Sequence, residues 1–191
     1  MLQEARAPSY MHDEALIVLP ELLRETQIDR PVLVGHSDGA SIALIYAAAF
    51  PAKVQALVLE APHVIVEPLG VASIAAIADA YAKTDLRMRM ARYHTDVDRT
   101  FYGWNDIWLS PAFAAWSIVD RLNAISAPAL AIQGTQDEYG TLAQLELLAS
   151  ASGGRVDRLI LSGCGHAPHQ ERPALVESAI VEWLREAQLS G

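Results

Sequence analysis

Cys164 is the chain's only cysteine, so no internal disulfide can form and nothing points to an oxidising compartment. Positive charge is also sparse. Fourteen Lys and Arg stand against 23 Asp and Glu, for a net charge of −9, and the cations form no cluster of more than two or three. That pattern gives no electrostatic footprint for a phosphate backbone and argues against nucleic acid as a partner. Long hydrophobic runs are missing too. No segment reaches the ~18 consecutive apolar residues of a membrane span, and the opening "MLQEARAPSYMHDEA" lacks a basic patch followed by an apolar stretch. The expectation is a soluble, cytoplasmic protein with no membrane partner. Apolar residues at 52% and charged residues at 19% mark a chain that buries a core. Its 191 residues suffice for a single domain spanning 1–191 and not for two of typical size.

The hydrophobic pattern alternates between two periods. "DEALIVLPELLRE" at 13–25 carries apolar residues at 16, 19, 22 and 23, a helical spacing that Pro20 should kink. "PVLVG" at 31–35 suits a strand buried on both faces, and "GASIALIYAAAF" at 39–50 is helical by composition and stopped by Pro51. Further strands are predicted at 54–61, 128–134 and 156–163, with helices at 141–152 and 172–189. Strands alternating with helices predict an α/β fold, a parallel sheet with helices on both faces. The region 67–122 breaks the alternation. It reads as several short helices and holds eight of the thirteen aromatics: Tyr81, Tyr93, Phe101, Tyr102, Trp104, Trp108, Phe113 and Trp116. An insertion of that length commonly serves as a lid or binding segment.

"VLVGHSDGAS", Val32 to Ser41, places Gly35-His36-Ser37-Asp38-Gly39 between a strand and a helix. G-x-S-x-G arises by chance in many chains, and its setting here is what makes it informative: strand, tight turn, helix is how a nucleophilic serine is exposed at a sheet edge. The glycines relieve a close backbone approach, and the helix N-terminus aims unpaired N–H groups at charge developing beside the serine oxygen. Ser37 or Asp38 as a plain helix cap is the competing interpretation. A serine hydroxyl needs a base, and the base an orienting acid. Asp137 and Glu138 follow the third predicted strand, while His166 and His169 follow the fourth, so the order is serine, acid, histidine.

The segments "LVGHSDGAS", "LAIQGTQDEYG" and "LSGCGHAPHQERP" resemble the elbow, acid loop and histidine loop of the α/β-hydrolase superfamily. "DRPVLVGHSDGASIALIYAAAFP" with "VLEAPHV" resembles its small cytosolic single-domain serine hydrolases. The resemblance runs from about residue 10 onward. It implies Ser37 as nucleophile, His166 as general base and then acid, Asp137 as its orienting acid, and the Asp38 backbone N–H as an oxyanion donor. Glu138 competes with Asp137, and His169 with His166. His36 and His63 are expected beside the site or lining its pocket, with Trp104, Trp108 and Trp116 of the 67–122 lid contacting substrate. His12 and His94 have no argued role. Cys164, His166 and His169 spell C-x-H-x-x-H, which could supply three zinc ligands, but no fourth ligand or second cluster supports it, and neither metal nor other cofactor is expected.

The chain departs from the family in its first 30 residues. Complete members carry four strands before the elbow strand, and a loop with a second oxyanion donor, often His-Gly. Residues 1–30 contain no strand-like run and no His-Gly pair, so the N-terminal part of the sheet is expected to be missing. The chain is then a fragment of a longer reading frame or a short form that completes its sheet by association through the exposed edge strand 31–35. The expected function is cofactor-independent hydrolysis of a small ester, with an apolar or aromatic part, through an acyl-enzyme. A serine at the elbow argues against the dehalogenases and epoxide hydrolases, which use aspartate there. C–C bond hydrolysis of the meta-cleavage type remains open, although the "GNSMGG"-like elbow commoner in that branch is absent. A catalytically silent binding scaffold, or an inactive fragment, is the reading from another class.

Overall fold

The four aliphatic runs form strands β1 (Val32–His36), β2 (Ala56–Glu60), β3 (Ala129–Gly134) and β4 (Val156–Leu161) in a computed structural model that describes residues 6–188. They pair in parallel in the order β1-β2-β3-β4, with Val34 beside Val58 and Ala131 beside Arg158. The central strands β2 and β3 are buried along their whole length. Successive residues point to opposite faces. Leu57, Leu59, Ala129 and Ala131 join the larger core with α3 (Asp38–Ala49) and α7 (Ala143–Ala151). Ala56, Val58, Leu130 and Ile132 pack instead against Val176 and Trp183 of the final helix, Pro173–Gln188. Both faces of the central strands are thereby covered by helix, as the alternating pattern predicts, whereas β1, expected to be buried on both faces, is only partly covered.

Before β1 the chain is helical over residues 10–25. α1 (Tyr10–Asp13) leads through a π-helical turn, Glu14–Val18, into α2 (Leu19–Glu25). The kink expected at Pro20 takes the form of this wide turn. Pro20 offers no N–H to the Leu16 oxygen, and the Leu19 N–H bonds back to the Glu14 oxygen. No strand precedes β1 among the described residues, so β1 is a sheet edge, and Val34 on it is 63% exposed.

The region 67–122 differs in detail from a set of short helices. α4 (Pro68–Lys83) is a full sixteen residues, favoured by its alanine content and by Pro68 at its first turn. α5 (Leu86–Met90) is short, and α6 (Val97–Trp108) starts at an Asp96 cap that accepts the Arg99 N–H at 3.1 Å. Tyr81 and Phe101 stack at 3.8 Å between α4 and α6. Both ends of the region return to one place. Ile118 N–H bonds the Val64 oxygen at 2.9 Å, and Ile65 bridges Ser117. Glu67 accepts from the Thr141 N–H at 2.9 Å and the Gln144 amide at 2.6 Å, which ties α4 to the loop after β3.

Candidate active site

At the end of β1 the chain turns so tightly that a Cβ on Gly35 would stand 2.4 Å from the Gly39 oxygen. Only glycine fits there. Ser37 at the corner has φ 55 and ψ −123, a left-handed conformation that a non-glycine residue adopts only when its surroundings hold it. Its N–H bonds the Glu60 oxygen at 2.9 Å, and its own oxygen accepts the Ala40 N–H at 2.9 Å. The Asp38 N–H, at the first position of α3, has no acceptor within the helix.

Ser37, His166 and Asp137 meet at the C-terminal edge of the sheet. Ser37 Oγ lies 3.0 Å from His166 Nε2, and His166 Nδ1 lies 2.8 and 2.9 Å from the two oxygens of Asp137. A carboxylate only accepts, so Nδ1 carries the proton and Nε2 presents its lone pair to the serine hydroxyl. Asp137 has a fully buried carboxylate, and Gln133 Nε2 donates to it at 2.6 Å, with the Tyr139 and Gly140 N–H groups at 2.8 and 3.3 Å. The acid is thus oriented by donors from β3 and its own loop before His166 adds another. Gly134 lets the histidine loop cross the end of β3, because a Cβ there would meet the Cys164 oxygen at 2.1 Å.

Three polar groups that sequence reasoning missed support this centre. Gln133 is the first. The second is Glu60, buried at the end of β2, whose Oε2 accepts the His169 N–H at 3.0 Å and lies 3.1 Å from its Nδ1. The third is Tyr10 of α1, which donates to Asp38 and accepts from Trp108 Nε1 at 3.0 Å. The available signal for Gln133 and Glu60 was a polar residue at the last positions of a strand otherwise fit for burial.

The remaining residues separate by position. His36 donates from Nε2 to the His166 main-chain oxygen at 2.7 Å. Burial, followed by the nearby histidines, pushes its pKa down, and burial pushes that of Asp38 up. His63 is 5% exposed, and burial together with His166 brings its pKa down to about 4. Glu138 does not bond His166, and its main-chain oxygen accepts from Ser73 Oγ of α4 at 2.6 Å. Cys164 is buried while His169 pairs with Glu60, and no group of three or more His, Cys, Asp or Glu among the described residues is disposed to hold a metal.

A cavity of about 350 Å³ opens over Ser37. His36, Asp38, His63 and His166 supply its polar edge, and Ile74, Trp104, Trp108 and Tyr139 its apolar wall. Trp116, expected among the substrate contacts, is not in this lining. Its ring stacks on Phe113 at 5.4 Å within the main core, where covering a large apolar surface takes it away from the site.

A parallel sheet, a strained serine between strand and helix, and an acid and a histidine on the next two strand ends are the arrangement of an α/β hydrolase. The sequence matches the alpha/beta hydrolase family over residues 4–179, and the chain belongs to that family. No curated protein matches it. Among solved structures it is similar to a thermophilic esterase from Thermogutta terrifontis, with TM-score 0.65, 21% identity, 96% of this chain and 74% of that one covered. It is also similar to a bacterial membrane phospholipase A (0.71, 18%, 98% and 66%) and to 2-hydroxy-6-oxo-6-phenylhexa-2,4-dienoate hydrolase from Rhodococcus sp. strain RHA1 (0.69, 16%, 96% and 74%). The chain therefore spans about two thirds to three quarters of the length of these proteins. No helix among the described residues is long and apolar enough to cross a membrane.

Proposed function

We propose that the protein is a serine hydrolase of small esters, working through Ser37, His166 and Asp137. The observation that carries this reading is the unbroken hydrogen-bonded chain from Ser37 Oγ through the imidazole to a buried carboxylate. In the first half-reaction Ser37 Oγ attacks the ester carbonyl while His166 Nε2 takes its proton, and Asp137 stabilises the imidazolium without itself being protonated. The Asp38 N–H and the N-terminal end of α3 stabilise the oxyanion. His166 then protonates the departing alkoxide. In the second half-reaction His166 activates water, which releases the acid and restores Ser37.

The cavity supports a compact substrate. Its volume of about 350 Å³ lies at the low end for ligand pockets, and Trp104, Trp108 and Ile74 suit an apolar or aromatic portion. A second reading, hydrolytic cleavage of a C–C bond next to a carbonyl, draws on the likeness in fold to the dienoate hydrolase and on the same aromatic wall. The test is turnover of short p-nitrophenyl esters and of a vinylogous diketone by the purified chain and its Ser37→Ala variant. Ester turnover lost in Ser37→Ala is expected. Turnover of the diketone alone favours C–C hydrolysis, and turnover of neither leaves the catalytically silent scaffold.

A further inference from the structure

The most deeply buried imidazole in the cavity lining has no hydrogen-bond partner among the described residues. His63 is 5% exposed, yet neither ring nitrogen bonds another group among the described residues. Its ring contacts are the edge of Trp108 at 5.1 Å and the His166 ring at 5.9 Å. Both of the other cavity histidines are committed, His166 to Ser37 and Asp137, and His36 to the His166 oxygen. The ring lines the cavity, and a ligand that displaces water from it without bonding its nitrogens leaves them unpaired at a cost.

The main chain around His63 is fixed by two side chains that are themselves fully buried. Ser41 Oγ donates to the His63 oxygen at 2.7 Å and lies 3.2 Å from its N–H, while Gln144 Oε1 accepts the Val64 and Ile65 N–H groups at 2.8 and 3.2 Å. The backbone that carries the imidazole is therefore held without using the ring nitrogens. Its depressed pKa, about 4, keeps it neutral near pH 7, so it presents one N–H donor and one acceptor nitrogen. Around it the wall is Ile74, Trp104, Trp108 and Tyr139, and a plain alkyl chain would offer the imidazole no hydrogen-bond partner.

We propose that His63 recognises an oxygen on the acyl group of the substrate, making the enzyme selective for oxo- or hydroxy-acyl esters over plain alkanoyl esters. This rests on the serine hydrolase reading above. An oxo oxygen accepts from the ring N–H; a hydroxyl donates to the other nitrogen. Sites built to bond a polar group discriminate strongly against analogues lacking it, because their own groups are then stranded.

The experiment compares p-nitrophenyl pentanoate with the 4-oxo and 3-hydroxy esters of the same chain length, in wild type, His63→Phe, His63→Leu and His63→Gln. In wild type, kcat/KM for at least one oxygenated ester is expected to exceed that for pentanoate by about tenfold or more. His63→Phe, and His63→Leu should the first not fold, brings that ratio close to one, and His63→Gln, which keeps a donor and an acceptor, recovers part of it. A wild type that shows no preference, or a preference that survives both apolar variants, overturns the inference while leaving serine hydrolysis standing. A wild type that turns over none of the esters and takes no fluorophosphonate at Ser37 overturns the serine hydrolase reading and this inference with it.

Discussion

His36 donates its Nε2 hydrogen to the main-chain oxygen of His166 at 2.7 Å, so the residue preceding the elbow serine holds the loop that presents the imidazole to that serine. The two rings stand 4.9 Å apart. On the other side of His36 the His169 ring is also 4.9 Å away, and His169 is fastened to Glu60. The tips of β1 and β2 therefore clamp the histidine loop at two points.

Removing the first clamp should misplace the base without emptying the cavity. His36→Leu is expected to lower kcat by about ten- to a hundredfold with little change in KM, because a small displacement of a reacting group costs that much. His36→Gln, which carries an N–H at similar reach, should recover most of the loss. Steady-state kinetics on a short ester read both effects. Equal kcat in His36→Leu and wild type contradicts the positioning role.

Asp137 fixes which nitrogen of His166 is protonated. Asp137→Asn can donate its amide to Nδ1 and so favour the wrong tautomer, and a fall in kcat of about 10⁴-fold is expected. Glu138→Gln should leave kcat within about twofold, since that side chain does not touch His166 and surface changes of this kind have small effects. The two variants measured side by side separate the competing acids.

Stability should fall in mild acid because His63 is buried neutral. Its pKa is about 4 in the folded chain against 6.5 when free, so between these values the unfolded state binds more protons and unfolding gains ground as pH drops. The contribution is complete above pH 6.5 and is lost as pH falls towards 4. It amounts to about 3 kcal/mol as an order of magnitude, at 1.36 kcal/mol per pKa unit. His36 and His12, also shifted down by burial, act in the same direction. Urea melts at pH 7 and pH 5 should show a smaller pH dependence for His63→Phe than for wild type. An unchanged dependence contradicts a buried neutral His63.

The strand positions were legible because β-branched and aliphatic runs between Pro, Gly and polar turns have few alternatives, and observed and predicted ends differ by two residues or fewer. Ser37, Asp137 and His166 were legible as motifs at strand ends. The groups that surround them were not. Tyr10 reaches Asp38 across 28 residues and Trp108 reaches Tyr10 across 98, and no local period records such a meeting. Trp116 shows the opposite limit. An aromatic in a long insertion can turn to the substrate or to the core, and composition does not say which until Phe113 is seen against it.

Among the described residues no strand pairs with the outer edge of β1, where Val34 is 63% exposed. Unpaired strand edges of this kind promote association between chains, and a charge on the edge opposes it. Val34→Lys is expected to reduce the apparent size of the protein in light scattering at a fixed concentration. Identical scattering from both proteins contradicts an associating edge.

The most direct test is covalent labelling of the purified chain with a fluorophosphonate, read by mass spectrometry. One label per chain on Ser37, fast in wild type and lost in His166→Ala, is expected if the imidazole at 3.0 Å activates the hydroxyl. A folded protein that takes no label, or labels equally well without His166, contradicts the proposed triad.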